Sequence, residues 1–288
     1  MHWSSPTGGF GCATCTADAF QAARIGREVQ VVISQNVDQK TDLSEYYGIE
    51  TIGITKQFGG VKALDDVSLT IPLFGITSIV GPNGSGKSTF VNLVTGVLPY
   101  DDGIVKIETN SFKVIHAHET PEHGITRTFQ EVRLFDQMTV WDNMMVVLTN
   151  RSLLPSIFER SKAEHRKKTE EILKQVGMWE KRESMAGELS YGQRKLLEIG
   201  RAMALEVQVY ILDEPFAGLF PQMLERVKDL LRDLRASGRT VVFISHNMDI
   251  VRELSDYIIV LESGKFLLAG EVEEVLNRPE VIRAYLGA

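Results

Sequence analysis

Cysteine is nearly absent from this chain of 288 residues. The two thiols, Cys12 and Cys15, both lie close to the beginning. Small secreted domains that depend on disulfides carry many more cysteines, so this usage excludes a disulfide framework and is typical of a cytosolic protein. A Cys-x-x-Cys pair alone also lacks the second ligand pair that a structural zinc site needs. We therefore interpret both cysteines as incidental.

Long hydrophobic runs and a basic excess are absent as well. The longest hydrophobic runs have five residues, as in Met144 to Leu148, whereas a membrane-spanning helix needs about 20. Acidic residues outnumber basic ones by 38 to 31, which gives a net charge of −7. A nucleic-acid-binding surface usually carries a basic excess to neutralise phosphates. The composition therefore disfavours a membrane span and a nucleic-acid partner, and its 43% hydrophobic share suits a globular core.

Two parts of the chain differ in their patterning. Residues 1–50 contain glycines and short polar side chains with weak periodicity, and we expect an N-terminal extension of uncertain order there. Residues 51–288 alternate short apolar runs with amphipathic helical stretches, which predicts an α/β core. The region of about 131–188 is helical and charged in pattern, so we expect a helical insertion. Ser161 and Glu164 predict the capping box of one of its helices.

A glycine-rich loop follows the β-branched run from Ile76 to Val80. The segment from Gly81 to Thr89 matches the pattern G-x-x-x-x-G-K-[ST] and leads into a helical stretch. Glycines let backbone amides surround phosphate oxygens, and the helix start adds the positive end of its dipole. Lys87 is expected to contact the β- and γ-phosphates, and Ser88 to bind Mg²⁺. The predicted phosphate-binding residues are Gly81, Pro82, Asn83, Gly84, Ser85, Gly86, Lys87, Ser88 and Thr89.

Two acidic residues end a second hydrophobic run, Val209 to Leu212. In a parallel sheet, acids at the carboxyl end of a strand lie at the crevice where ligands bind. Asp213 is expected to hold Mg²⁺ through water, and Glu214 to polarise an attacking water as a general base. A strand that ends in Asp-Glu is often only a solvated loop, but the phosphate-binding loop in the same chain favours the catalytic interpretation.

Two further segments narrow the choice among nucleotide-binding proteins. Ser190 and the amides near Gly192 precede a long helical stretch and predict a second phosphate-binding surface at a helix start. His246 follows the strand-like run from Thr240 to Ile244, where an imidazole can reach a γ-phosphate. Taken alone, a histidine in this position is more often a plain surface residue.

Together these segments closely resemble the ATP-binding cassette (ABC) family over about residues 51–288. The resemblance implies a RecA-like P-loop NTPase core with an antiparallel β subdomain and the helical insertion of that family, with ATP and Mg²⁺ as cofactors. It identifies Gln130, in Arg-Thr-Phe-Gln, as a catalytic and metal-binding residue and His246 as the switch histidine. It also matches Phe58 to the aromatic residue that stacks on adenine, which is usually tyrosine. The residues that match the signature motif are Leu189, Ser190, Tyr191, Gly192 and Gln193.

The resemblance further implies that one chain cannot complete the reaction. Two cassettes pack head to tail, so that each ATP lies between the phosphate-binding loop of one and the signature segment of the other. Two positions depart from the commonest pattern. Tyr191 replaces a glycine, as is frequent in the branched-chain amino acid importer branch. Phe220 replaces a polar residue in the segment from Ala217 onward that matches the D-loop, which puts the contact across the dimer in doubt there.

Longer strings point to one branch of the family. Residues 124–135 and 279–287 resemble the ATPases of branched-chain amino acid importers. Urea-type importers and the lipopolysaccharide-export ATPase have similar cassettes, and a soluble ABC ATPase is a further alternative. The expected partners are a second cassette, integral membrane permease subunits and, indirectly, a solute-binding protein, with no nucleic acid. The expected location is peripheral, at the cytoplasmic face of the inner membrane, and the sequence leaves open the solute and the choice between homodimer and heterodimer.

Overall fold

Strands and helices alternate along the computed structural model, which describes residues 47–107, 110–148 and 155–286. Within these ranges the strands are β1 (Tyr47–Phe58), β2 (Val61–Pro72), β3 (Ile76–Val80), β4 (Asp102–Ile107), β5 (Asn110–Phe112), β6 (Ile125–Arg127), β7 (Val209–Asp213), β8 (Thr240–Ile244), β9 (Tyr257–Glu262) and β10 (Lys265–Glu271). The helices are α1 (Lys87–Val94), α2 (Val140–Leu148), α3 (Pro155–Gln175), α4 (Tyr191–Met203), α5 (Pro221–Ala236), α6 (Met248–Leu254), α7 (Val272–Leu276) and α8 (Pro279–Leu286).

The beginning of the chain bears on the expected extension. All described residues fall in one compact unit, Ser44–Ala288. Strand β1 begins at Tyr47, which is earlier than the expected boundary at residue 51. The rest of the expected extension, with both cysteines, lies outside the described residues.

A six-stranded sheet with the order β10-β9-β3-β8-β7-β6 supplies the frame for the site. Its central strands β3, β7 and β8 are fully buried along their length. Runs rich in valine and isoleucine suit parallel strands that are covered on both faces. Strands β6, β7, β8, β3 and β9 pair in parallel, and β10 pairs antiparallel to β9 at the edge. The loops that follow β3, β7 and β8 therefore meet at one edge of the sheet.

Alternate residues of the parallel strands enter two separate hydrophobic cores. Tyr210 and Leu212 of β7 join a core formed with the helices α4 and α5. Their neighbour Ile211 points the other way, into a core shared with α1 and the antiparallel sheet. This division follows from the two-residue period of a strand. It fixes the register of β7 and hence the direction of the acids at its end.

The second sheet is antiparallel, with the order β2-β1-β4-β5. Its inner face packs on α1, where Phe90 and Leu93 are completely buried. Strand β2 lies near the phosphate-binding loop, because the amide of its Asp65 donates to the Gly264 carbonyl oxygen at 2.8 Å and the Gly264 amide donates to the Ser85 carbonyl oxygen at 3.2 Å. The parallel core with an antiparallel sheet confirms the predicted α/β nucleotide-binding fold.

The helical insertion contains α2, α3 and short 3₁₀ turns at Trp179–Lys181 and Ala186–Glu188. The capping box predicted at Ser161 is wrong, because α3 begins at Pro155 and runs through that position. Helix α3 buries Ile172 and Leu173 near its end. No helix of the described ranges is long and apolar enough to span a membrane.

Candidate functional site

The phosphate-binding loop has a backbone that only glycine permits at two positions. Gly81 and Gly86 have φ angles of +146° and +98°, in the region that L side chains rarely adopt. A Cβ at Gly81 would lie 2.0 Å from the carbonyl oxygen of Leu261, and one at Gly86 would lie 2.7 Å from that of Ala63. Both glycines are therefore required by close contact with neighbouring backbone as well as by φ.

Lys87 is the cation of this loop. It begins α1, its side chain is buried, and its Nζ donates to the carbonyl oxygens of Gly81 and Pro82 at 2.8 Å each. Burial lowers the pKa of Lys87, while the charges of Glu214 and Asp213 raise it. The loop thus supplies one cation to the edge of the sheet where β7 ends in two acids.

The remaining residues of the loop differ in accessibility. Asn83, Gly84 and Ser88 are exposed, so that their polar groups are open to a ligand. A Cβ at Gly84 would meet no atom within 4 Å, and its φ is +78°. Ser85 is buried, and its backbone amide donates to Pro82 at 3.2 Å, which closes the turn. The other two predicted residues, Pro82 and Thr89, are partly buried.

Asp213 ends β7 with a carboxylate that is only 3% exposed. Burial raises its pKa, and the nearby Arg127 opposes that rise. Its Oδ1 has no hydrogen-bond partner among the described residues. A buried carboxylate oxygen without a partner is costly unless a water or cation satisfies it. Asp213 and the exposed hydroxyl of Ser88 thus supply hard oxygen ligands of the kind that Mg²⁺ prefers.

Glu214 and His246 are in direct contact. The Oε1 atom of Glu214 lies 2.7 Å from Nε2 of His246. Asp213 on β7 pairs in register with Ile244 on β8, so the residues that follow both strands emerge side by side. Glu214 adopts a φ of +47°, a left-handed conformation that is uncommon outside glycine and often marks functional sites. The sequence predicted both residues, and the structure brings them together.

Gln130 follows β6, the edge strand that pairs with β7. Its side chain is exposed. Its backbone carbonyl lies 3.5 Å from Nζ of the buried Lys195, which donates to the Phe129 carbonyl at 3.1 Å. The glutamine is thus held at the ligand-binding edge of the sheet through its main chain.

Arg127 is a residue of the site whose contacts the sequence did not reveal. Its Nη1 donates to Asn92 Oδ1 on α1 at 2.6 Å and to Oγ1 of Thr95, the residue that caps the end of α1, at 3.1 Å. Its Nη2 lies 3.7 Å from Oδ2 of Asp213. The side chain thereby connects β6, the helix of the phosphate-binding loop and the end of β7. An arginine inside a strand of the central sheet was the available sequence signal.

The signature segment forms a complete helix cap. Ser190 Oγ accepts from the Gln193 amide at 3.4 Å, and the Ser190 amide donates to Gln193 Oε1 at 3.0 Å. This reciprocal capping box satisfies two amides at the start of α4. Leu189 is buried, whereas Ser190 and Tyr191 are exposed at the surface.

The signature segment packs on the segment that matches the D-loop. A Cβ at Gly218 would lie 3.3 Å from the ring of Tyr191, and one at Gly192 would lie 3.2 Å from Met223 on α5. Phe220 is 82% exposed immediately before Pro221, the first residue of α5. The rings of Tyr191 and Phe220 therefore both reach the surface near the start of α5.

Phe58 lies at the end of β1 with a half-exposed ring. The Nζ of Lys56 is 5.5 Å from the centroid of this ring, within the range of a cation–π contact. The ring is therefore partly accessible to solvent, and its stacking on adenine stays a prediction.

Comparison with known proteins gives consistent matches. The family "ABC transporter" matches residues 64–217. The high-affinity branched-chain amino acid transport ATP-binding protein BraF of Pseudomonas aeruginosa is 36% identical over 248 residues, which cover 83% of this chain and 97% of the relative. The corresponding protein LivG of Escherichia coli K12 is 34% identical, with 82% and 96% covered.

Solved structures show the same likeness. The ADP conformation of MJ1267, described as an ATP-binding cassette of an ABC transporter, is 35% identical with a TM-score of 0.73 and covers 84% of this chain and 99% of its own. A dimeric post-hydrolysis state of the cassette MJ0796, bound to ADP and phosphate, is 26% identical with a TM-score of 0.68. It covers 78% of this chain and 98% of its own.

Proposed function

This chain belongs to the ABC transporter family, and we propose that it is the ATP-hydrolysing subunit of an importer for branched-chain amino acids. Lys87, Asp213 and Glu214 carry the proposal, because β3 and β7 both pair in parallel with β8 and so place the phosphate-binding loop and the two acids at the same edge of the sheet. A cation for phosphate and a base for water are thus within one site. BraF and LivG, which are named as branched-chain amino acid transport proteins, support the choice of solute.

In the proposed reaction, water attacks the γ-phosphate of ATP and ADP leaves. Glu214 accepts the proton of that water as general base, and His246 orients the Glu214 carboxylate through their 2.7 Å contact. Lys87 and the amides of residues 81–89 neutralise the phosphate charge. Ser88, Asp213 and Gln130 would hold Mg²⁺, which when bound supplies further charge neutralisation.

A second cassette completes each site in this proposal. The signature segment is exposed at the start of α4, where a helix N-terminus favours an anion. The described chain presents one phosphate-binding loop and one signature segment. The dimeric structure of MJ0796 gives a precedent for the pairing of cassettes.

The replacement Ser190→Arg tests this pairing. A bulky cation at the exposed cap is expected to block association while ATP binding by the single chain stays intact, because Ser190 is not part of the phosphate-binding loop at 81–89. Gel filtration with ATP and nucleotide titration measure the two properties. Ser190→Thr retains a capping hydroxyl and serves as the control. Normal association of Ser190→Arg would contradict the composite site.

We further propose that the helical insertion docks on membrane permease subunits at the cytoplasmic face of the inner membrane, with a solute-binding protein acting on the opposite side. Four large apolar side chains among the described residues of this insertion, Phe135, Met138, Val146 and Met185, are exposed. Such side chains suit a protein interface. Co-purification with integral membrane permease subunits tests the assembly, and the absence of any complex would contradict it.

The solute and the coupling are tested by transport in reconstituted vesicles. ATP-dependent uptake of leucine is expected, and uptake of urea without a response to leucine would overturn the solute while leaving the ATPase role intact. Gln130 joins the catalytic edge to the insertion. We expect Gln130→Ala to lower uptake more than it lowers the ATPase activity of the isolated cassette. An equal loss of both activities would remove Gln130 from the coupling.

A further inference from the structure

The segment 129–136, called the Gln130 loop below, contains no helix or strand. Charged side chains of helix α4 hold its backbone in place. Lys195 is completely buried, and its Nζ donates to the Phe129 carbonyl at 3.1 Å and lies 3.5 Å from the Gln130 carbonyl. Glu198, one turn further along the helix, accepts from the Phe129 amide at 3.3 Å. The backbone of the Gln130 loop is therefore held on both its donor and its acceptor side.

Two more charged residues of α4 extend the contact. The guanidinium of Arg201 donates to the Arg133 carbonyl at 2.6 Å. Arg194, at the beginning of the helix, forms an ion pair of 2.7 Å with Asp136. Irregular backbone needs partners for its polar groups, and α4 supplies several of them here. The loop and the helix consequently have to move together or break these contacts.

The buried pair is poorly explained as a source of stability. Nζ of Lys195 and Oε2 of Glu198 are 3.5 Å apart, and that oxygen makes no hydrogen bond among the described residues. Burial raises the pKa of Glu198 because the charged form loses water, and Lys195 opposes the rise. A buried ion pair with an unsatisfied oxygen often contributes less than apolar residues of the same size. Its specific contacts with the backbone are a better reason for its presence.

We propose that Lys195 and Glu198 are positioning residues that transmit movement of the Gln130 loop to the signature segment at the start of the same helix. This inference rests on the proposed function, in which Gln130 senses the nucleotide of its own chain and Ser190 faces the nucleotide of the partner. Lys195 lies two residues after Gln193, the end of the capping box. A shift of the Phe129 and Gln130 backbone therefore displaces the cap directly, and the two sites of the dimer become coupled through each chain.

The test compares single and double replacements. Lys195→Met and Glu198→Met each leave one buried charge without its partner, so each is expected to lower the melting temperature. The double replacement removes both charges and is expected to be more stable than either single one. It still lacks the contacts with the Phe129 backbone, so it should not recover the coupling. Recovery of stability without recovery of coupling separates positioning from a merely structural role.

Amide hydrogen exchange measures the coupling at a protein concentration where gel filtration shows a monomer. Addition of ATP with Mg²⁺ is expected to slow exchange in peptides from 129–136 and from 190–194 of the wild-type chain. In the double variant the response in 129–136 should persist and that in 190–194 should be lost. Glu198→Gln retains an acceptor for the Phe129 amide and should keep both responses, which provides an answer if the double variant does not fold.

Lys228→Met is the matched control. Lys228 is a buried lysine of α5 whose Nζ lies 2.9 Å from Glu225 and also pairs with Glu253, away from the Gln130 loop. It should keep the response at 190–194. An unchanged response at 190–194 in the double variant, or none in a wild-type chain that binds ATP, would overturn the inference. A wild-type chain that binds no ATP would instead refute the proposed function and this inference with it.

Discussion

The two phosphate-binding segments proposed for this chain are built in opposite ways. The base of the loop at 81–89 is enclosed, since Gly81 and Gly86 lie against the backbone of β9 and β2 and Lys87 is buried between carbonyl oxygens. In the signature segment at 189–193, Ser190 and Tyr191 are exposed, and the capping box satisfies the helix start from within. One segment is complete within its own chain, whereas the other presents a surface.

The two segments obtain their backbone conformations from different kinds of contact. The enclosed base of the loop depends on tertiary contacts at backbone distance, so an atom added at Gly81 or Gly86 must disturb it. The exposed segment depends on a local cap worth about 1 kcal/mol, so its shape tolerates change. We therefore expect replacements in the loop to affect this chain alone, and replacements in the signature segment to appear when two chains meet.

Lys87→Ala is expected to have the largest effect. Removal of the cation should abolish ATP turnover and weaken nucleotide binding, because the phosphates lose the charge that the loop directs toward them. ATPase assays and nucleotide titration measure this. The melting temperature without nucleotide should change little, which separates the site from the fold. Wild-type turnover by this variant would refute the assignment of the loop.

Gly81→Ala and Gly192→Ala compare the two segments directly. The Cβ at Gly81 would meet backbone at 2.0 Å with a φ of +146°, so we expect a loss of about 3 kcal/mol or more in unfolding free energy. At Gly192 the added carbon would lie 3.2 Å from the side chain of Met223, which can move. Thermal unfolding should show a large drop for the first variant and a small one for the second. Equal drops would contradict the contrast.

Glu214→Gln should slow hydrolysis by about 10²-fold or more while ATP affinity is retained, because the amide fills the same space without accepting a proton. The variant should therefore accumulate as an ATP-bound dimer in gel filtration. Such a dimer would show that the exposed signature segment contacts a second chain. A monomer that hydrolyses ATP normally would contradict both the base and the composite site.

His246→Ala should produce a milder form of the same defect, less than about 10²-fold, because Glu214 remains but loses its 2.7 Å contact. The double variant with Glu214→Gln provides the control. Two residues that act as a unit give non-additive losses, so the double variant should be no slower than Glu214→Gln alone. Additive losses in steady-state kinetics would assign His246 a separate role.

Local signals predicted the α/β fold and the edge of the sheet where the proposed catalytic groups lie. Strand β3, the glycine loop and α1 follow each other directly in sequence, and parallel strands bring Glu214 and His246 to the same edge. The capping box at Ser161 failed because α3 extends through it from Pro155. A short cap pattern inside a long helical stretch does not determine where the helix begins.

The sequence did not predict the contacts between residues that are far apart in the chain. Arg127 on β6 forms a hydrogen bond with Asn92 on α1. Lys195 on α4 donates a hydrogen bond to the carbonyl oxygen of Phe129. Both side chains are charged and largely buried, and no local sequence pattern predicts which group each of them will contact. Periodicity predicts that α4 has a buried face, but it assigns that face to apolar packing. Only the tertiary structure shows that part of this face holds the Gln130 loop.

Phe58→Ala is expected to have the smallest effect and to test an exposed part of the nucleotide's own site. The ring at the end of β1 is half exposed, and we expect it to offer one face to adenine. Stacking of a base on an aromatic ring is worth about 1–3 kcal/mol, so the ATP dissociation constant should rise about fivefold or more. Phe58→Tyr keeps the ring and should bind ATP as the wild type does.

Titration with ATP and with inorganic triphosphate separates the contribution of the base from that of the phosphates, because only ATP binding should weaken in Phe58→Ala. Equal weakening for both ligands would mean that Phe58 supports the enclosed loop instead of contacting the base.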